Sequence, residues 1–306
     1  MNQKKIGRWI FHGYVVAFFV YLAAPLFAAG LFAFNDSLFP ALPWRGFTLD
    51  WFFNDTEPKL GMFHDRRLLT GLQNSFLVAV AVTALSVFVG TCNAFLFERG
   101  SFPGKEFLYM LMVVPLVIPG VILGISILVL ASSIANGMED NFGYELDLLR
   151  PGLLLVILGQ FSFITTITSL VIAARLRKFD YAMEEAALNL GASRPRVLLT
   201  ITLPFLRPAL IAAGLVAFLV SFENFNTTLM LVGSDAPLTI TMYDRMVKVG
   251  STPVLNAVSF FLMVGSGALA LISIVVQREK KARPAAAVAT AEPVYAGTAA
   301  RVGSSP

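Results

Sequence analysis

Apolar residues fall in six long blocks parted by shorter polar stretches, roughly Tyr14 to Phe34, Leu72 to Phe97, Phe107 to Ala131, Pro151 to Ala174, Pro208 to Val232 and Pro253 to Val276. Each is long enough to cross a ~30 Å hydrocarbon layer, which takes about 20 helical residues. A backbone in lipid finds no water, so its N–H and C=O groups must be satisfied within a helix or a closed barrel. The blocks are continuous and lack the ~10-residue alternating segments of barrel strands. The pattern therefore predicts an all-α, polytopic membrane protein with six transmembrane helices. A short segment 1–13 precedes the membrane domain 14–277. The tail 278–306 is rich in Ala, Pro, Gly and Ser and is predicted to be disordered, because it offers little to bury.

Composition agrees with the pattern: 57% of the 306 residues are hydrophobic and 14% charged, with a mean hydropathy of +0.74. That exceeds what a soluble core requires. Basic residues orient the bundle. Sixteen of the 23 Lys and Arg lie in the N-terminus, the 98–106 loop, the 175–207 loop and the tail; seven lie on the other side. The excess of positive charge on the first side predicts that both termini face the cytoplasm. The net charge of +4 then reports topology and contact with lipid headgroups, and implies no nucleic acid. Lys4, Lys5 and Arg8 precede an apolar run too long for a cleaved signal core, so the first block is predicted to remain as a helix. Cys92, the only cysteine, excludes an internal disulfide and is expected to pack inside the second helix.

The stretch from Tyr181 to Leu190, between the fourth and fifth blocks, has a different character. As a helix it reaches only ~15 Å and cannot span. Asp180 can cap its start, Glu184 and Glu185 suit its positive end, and Gly191 supplies a left-handed stop. Ser193 and Pro195 can open a second short helix. Two short helices meeting at a glycine present Ala186, Ala187 and Leu190 to a partner groove on the cytoplasmic side.

Glu185-Ala186-Ala187-Leu188-Asn189-Leu190-Gly191, followed after nine residues by Ile201-Thr202-Leu203-Pro204, reads E-A-A-x3-G-x9-I-x-L-P. This resembles the signature loop of binding-protein-dependent ABC importer permeases. The resemblance implies that Glu184, Glu185, Ala186, Ala187, Leu190, Gly191, Leu203 and Pro204 couple the membrane helices to a separate ATP-binding subunit. It also implies a second permease, a different chain in the branch favoured here, and a soluble binding protein outside a bacterial inner membrane. Further stretches are similar to the spermidine and putrescine branch: Phe34-Asn35-Asp36-Ser37, Trp44-Arg45-Gly46-Phe47-Thr48 with Trp51, Gln73-Asn74-Ser75, and Met246 to Gly250 with Pro253 and Asn256-Ala257. One departure is Glu223-Asn224, where that branch carries paired acids. It leaves room for another small amine or zwitterion.

No chemistry of hydrolysis is visible. A phosphate-cradling G-x4-G-K-[ST] loop is absent, and Gly104-Lys105-Glu106 lacks its hydroxyl and earlier glycine. His12 and His64 lie far apart, so neither a metal set nor a nucleophile system can be assembled. The chain is therefore expected not to be an enzyme and to bind no cofactor, with ATP and Mg on the partner subunit.

Glu223 stands within the fifth block, where a charge costs about 2.5 to 3.5 kcal/mol on insertion scales. With Asn224, Asn226, Thr227 and, from the fourth block, Gln160, it is a candidate for the substrate pathway. The alternatives are pairing with a neighbouring helix or capping a helix break. Ser162, Thr165, Thr166, Thr168 and Ser169 are ascribed to gluing helices, and Gly120 with Gly124 to close packing. Trp44, Phe47 and Trp51 in the long first loop are candidates for docking the binding protein, or for an aromatic belt at the membrane surface. An ion-driven carrier would leave the Glu185 to Pro204 stretch idle, and a membrane-bound enzyme is disfavoured because no catalytic cluster is visible.

Overall fold

The structure, a computed structural model, describes residues 3–279, with side chains placed for residues 7–271. The tail predicted to be disordered lies outside the described residues from 280 onward. Helices follow one another along the chain: α1 (Gln3–Phe32), α2 (Asp50–Phe53), α3 (Arg66–Arg99), α4 (Lys105–Val117), α5 (Gly120–Phe142), α6 (Leu153–Leu176), α7 (Ala182–Asn189), α8 (Arg194–Val197), α9 (Leu203–Phe222), α10 (Asn226–Leu231), α11 (Leu238–Val249) and α12 (Pro253–Glu279). Strands are absent among the described residues, save one isolated bridge between Asn35 and Phe47. Residues through Ser266 form one compact unit, and a second begins at Gly267. Six helical stretches are long and apolar enough to cross a membrane: Gly7–Phe32, Arg66–Arg99, Gly120–Phe142, Leu153–Leu176, Arg194–Phe222 and Pro253–Leu271. The all-α, six-span reading of the sequence holds.

Two spans differ from their expected form. The third block is not one continuous helix from Phe107 to Ala131. It breaks at Ile118, which is extended, and α5 restarts after Pro119. A proline pushes the preceding residue out of the α region and cannot donate to the helix ladder. Pro115, by contrast, sits inside α4 without ending it. The spanning helix is therefore α5, which runs past Ala131 to Phe142 and carries Glu139 and Asp140 in its last turn. The fifth block also breaks, with α9 ending at Phe222 and α10 beginning at Asn226. Cys92 is exposed, so it does not pack inside the chain as expected.

The centre of the bundle is α3, whose 34 residues extend ~51 Å. Small and hydroxyl-bearing positions let α6 press against it. A Cβ added at Gly90 would come within 2.3 Å of Thr168 Oγ1 and 3.0 Å of the Ser169 amide nitrogen. The Thr168 hydroxyl donates to the Ser86 carbonyl at 2.7 Å, and Asn93 Nδ2 donates to Ser169 Oγ at 3.3 Å. Thr166 donates to the Met112 carbonyl of α4 at 2.6 Å. In a medium as apolar as the side chains themselves, such close approach and cross-helix bonding hold helices together, so Thr165, Thr166, Thr168 and Ser169 of α6 are glue, while Ser162 bonds within its own helix.

Apolar clusters are layered along α3. Val78, Val82, Leu155, Ile164 and Ala217 fill the middle. Ala94, Ile172, Leu176, Phe179 and Leu206 pack near its C-terminal end. Trp51, Phe52, Leu68, Leu238 and Val254 pack near its N-terminal end. That end is also pinned by Asp65, which caps α3 by accepting from the Arg67 and Leu68 amides and forms an ion pair with Arg245 of α11.

Gly90→Ala is expected to destabilise the bundle by about 1–3 kcal/mol, the usual cost of overpacking. Gly265→Ala, where an added Cβ meets nothing within 4 Å, is expected to be neutral. Thermal unfolding of both variants in detergent measures the difference.

Candidate functional site

The connection from α6 to α9 turns back on itself by local chemistry. Asp180 Oδ1 accepts the Ala182 amide at 3.0 Å, which starts α7. The helix is eight residues long, two fewer than the sequence pattern outlined, and still far too short to span. It stops where Gly191 takes φ +87°. There the Gly191 amide donates to the Leu188 carbonyl and the Ala192 amide to the Ala187 carbonyl, at 2.9 and 3.1 Å. This paired closure satisfies the last carbonyls and calls for a left-handed residue after the helix.

Ser193, extended, precedes α8, and Pro195 occupies its first turn, as expected. The chain then passes into α9 through a wide π-turn, Leu198–Thr202. A normal turn would set the Pro204 ring against the Thr200 carbonyl four residues back; the wider turn relieves that clash. Such turns are common at functional sites.

The loop presents two different faces. Glu185, Ala186 and Gly191 are exposed and Ala187 half-buried. Leu190 is 88% exposed, and Tyr181, Met183 and Leu199 of the same loop are exposed as well. Pro204 is exposed and Leu203 half-buried. Glu185 forms no ion pair among the described residues. Several large apolar side chains left exposed on one short loop mark a surface suited to a partner.

Glu184 departs from its expected outward role, because it turns into the bundle. Arg99, the last residue of α3, donates from both guanidinium nitrogens to its two oxygens at 3.0 and 2.7 Å. Thr202 of the π-turn donates to the same carboxylate. Burial alone would raise the Glu184 pKa, but the Arg99 fork and the Thr202 hydroxyl outweigh it and hold the carboxyl below its usual range. Next to this pair, Arg177 bonds Glu98 at 2.8 Å.

The second candidate lies at the α9–α10 break. Glu223 is the first residue past α9, so it does not sit within an unbroken helix. It is exposed, as is Asn226. The other residues named for the pathway hold the break in shape. Asn224 Oδ1 accepts from the Thr228 amide at 3.2 Å and its hydroxyl at 3.0 Å. Gln160, 1% exposed, donates to Thr228 Oγ1 at 2.9 Å and accepts from the Ser221 hydroxyl. Thr227 is buried and donates to the Gly120 carbonyl at 3.3 Å. Added Cβ atoms at Gly120 and Gly124 would come within 3.1 and 3.0 Å of Asn226 and Met230, so this glycine pair serves close packing of α5 on α10. The sequence pattern gave no sign of α11, whose Thr239 donates to the Asn224 carbonyl at 3.2 Å and whose Tyr243 ring lies 5.0 Å from Phe225. Its twelve residues alternate Leu238, Ile240, Met242, Met246, Val247 and Val249 with Thr239, Thr241, Asp244, Arg245 and Lys248, an amphipathic pattern that long apolar blocks do not reveal.

In the first loop, Trp44 is 45% and Phe47 69% exposed, but Trp51 is 3% exposed and lies in the core. Its indole donates to the Asn35 carbonyl at 2.9 Å. A buried anchor cannot dock a partner, so Trp51 positions the loop instead. Asn35 also bonds the Ala41 carbonyl and the Arg45 amide at 3.2 and 3.0 Å. Lys59 bridges Asp36 and Asp50, and these partners raise its pKa. No group of three or more His, Cys, Asp or Glu able to hold a metal occurs among the described residues.

Residues 86–281 match the family model described as "Binding-protein-dependent transport system inner membrane component". The chain is 28% identical over 256 residues to the putrescine transport system permease protein PotI of Escherichia coli (strain K12), covering 83% of this chain and 86% of that one. It is 29% identical over 275 residues to the spermidine/putrescine transport system permease protein PotC of the same strain, covering 90% and 96%. Among solved structures, a bacterial ABC transporter involved in import of the acidic polysaccharide alginate shares the fold, with a TM-score of 0.69 at 17% identity over 90% of this chain and 98% of that one.

Since the folded pKa of Glu184 is lowered, its contribution is present above the unfolded value of ~4.3 and is lost as pH falls through the folded one. Amide exchange of Ala182–Asn189, corrected for intrinsic rates, is expected to keep constant protection near neutrality and to lose it in acid. Glu184→Gln should show the weaker protection already at neutral pH.

Proposed function

The chain belongs to the binding-protein-dependent transport system inner membrane components, and on that premise we propose that it is one permease half of an ATP-driven importer for a small cationic amine. The observation that carries the substrate reading is its likeness, along most of both chains, to permeases named for putrescine and spermidine. The exposed carboxylate of Glu223 at a helix break fits the same class. A cation gains from it, whereas an anion would be repelled. With Asn226 beside it and Asn224, Thr227 and Gln160 bracing the break, Glu223 borders the path.

ATP and Mg bind a separate subunit, whose groove receives α7. Glu185, Ala186, Ala187, Leu190 and Gly191 form the docking face, and Leu203 with Pro204 start the helix that carries the motion onward. The excess of basic residues on the α7 side supports placing this face, and both termini, in the cytoplasm. On the opposite side, Trp44 and Phe47 supply exposed aromatic surface for a soluble binding protein that delivers the amine. A second permease, a related but different chain, completes the pore. The mechanism is alternating access, with closure of the ATP-binding subunits rocking the two halves.

The test is uptake of labelled putrescine and spermidine by proteoliposomes holding the complete importer, with ATP on the α7 side. Uptake is expected to require ATP, and Glu223→Gln is expected to lower it about tenfold or more, as loss of a charged hydrogen bond would. Uptake that follows an ion gradient without ATP would overturn the mechanism. Unchanged amine uptake in Glu223→Gln would remove that carboxylate from substrate handling.

A further inference from the structure

No residue of α7 is buried, so apolar packing does not fix this helix to the bundle. Buried Phe179 anchors the turn that leads into it, but the turn that leaves it packs against nothing: a Cβ added at Gly191 would meet nothing within 4 Å, and residues 188–191 are exposed. What holds α7 is polar: the two-pronged bond from Arg99 to Glu184, and the Thr202 hydroxyl on the same carboxylate. The guanidinium is itself held, 4.8 Å from the Phe95 ring centre and 5.2 Å from that of Tyr181. Arg99 and Glu184 are 25% and 17% exposed at the side chain, so water screens the pair less than it would at an open surface.

We propose that Arg99, Glu184 and Thr202 form a mechanical tie that makes α7 move as one body with α3 and the start of α9. This rests on the reading that α7 receives the push of an ATP-binding subunit, and adds how the push leaves it. Without the tie, displacement of α7 would be absorbed in the Gly191 turn. With it, motion enters α3 at its last residue. The adjoining Glu98–Arg177 bond carries α6 along. At the far end of α3, Asp65 is joined to Arg245 of α11, and α11 touches the Glu223 break through Thr239 and Tyr243. Glu184 thus acts as a positioning residue facing the bundle, while its neighbour Glu185 faces outward.

A pair that only stabilised the fold would, when cut, lower thermal stability and lose uptake and hydrolysis together. A tie, when cut, leaves hydrolysis running while uptake per ATP falls. The complete importer with its ATP-binding subunits is tested as wild type, Arg99→Ala, Glu184→Ala, the double variant, Thr202→Val and Glu184→Asp. In a Cys92→Ser background, nitroxide labels on Asn189→Cys in α7 and Leu96→Cys in α3 report the distance between the two helices, at rest and trapped with ATP and vanadate.

The expected result is one narrow distance in both states of the wild type, broadened alike by either alanine and no further by both. Uptake of putrescine per ATP should fall about tenfold in the alanine variants, within the range by which residues along a coupling route act, less in Thr202→Val, and recover in part with Glu184→Asp. A narrow distance retained in Glu184→Ala, or unchanged uptake per ATP in the alanine variants, overturns the tie. If the wild-type complex hydrolyses ATP and the distances behave as expected while no putrescine enters, the substrate reading fails and the tie stands. If no ATP-binding subunit assembles on α7, the underlying reading fails, and the tie with it.

Discussion

One uninterrupted helix imposes its geometry on the molecule. Lipid gives a backbone no hydrogen-bond partners, so a segment of 34 residues such as α3 must satisfy its own groups along its whole length. Because α3 satisfies its own backbone, its side chains are free to recruit others. Gly90 lets α6 approach to backbone contact, Ser86 and Asn93 bond across to it, and Val78 and Val82 anchor the central apolar layer. Charges are confined to its ends, where water is near. Asp65 meets Arg245 at one end and Arg99 meets Glu184 at the other. The same rod therefore touches the α7 loop and the α11 helix, two of the places where the chain is not simply spanning.

Irregular backbone elsewhere in the bundle is accounted for group by group. The α9–α10 break would expose unpaired amides and carbonyls, but Asn224 accepts from Thr228, and Thr239 donates to the Asn224 carbonyl. Gln160 reaches across from α6 to bond Ser221 and Thr228, one on either side of the break. Side chains that look, in a list of polar membrane residues, like a substrate path are largely consumed in this bracing. What remains exposed is Glu223 and Asn226. The break is thus braced from two helices, with the Glu223 carboxylate exposed at its rim and in no ion pair among the described residues.

In this member of the family, matched over residues 86–281, a few contacts connect the exposed loop to the rest. Arg99 and Glu184 pair α3 with α7, Asp65 pairs the other end of α3 with Arg245 of α11, and Thr239 of α11 bonds the α9–α10 break. The division between Glu184 and Glu185 is the sharpest instance. Adjacent on the chain, they point to different bodies because successive residues of a helix are about 100° apart, given 3.6 residues per turn.

Much of this was legible in one dimension. Hydropathy runs located six spans because lipid forces each to be long and self-satisfied. Asp180, Gly191, Ser193 and Pro195 marked the ends of the short helices because capping and left-handed turns depend on neighbours within a few residues. The break at Ile118–Pro119 had a local cause but was hidden, since an apolar run reads the same whether or not a helix stops within it. Other features had no local signal at all. That Trp51 would be core and Trp44 surface, that Gln160 would clamp a break rather than line a path, and that Glu184 would find Arg99 across 85 positions depend on which helices lie side by side. Where the chain is helical and where it turns can be read residue by residue, since both follow from backbone bonding over short range. Which polar groups are spent on one another and which stay exposed emerges with the packing of the helices, because pairing requires proximity in space.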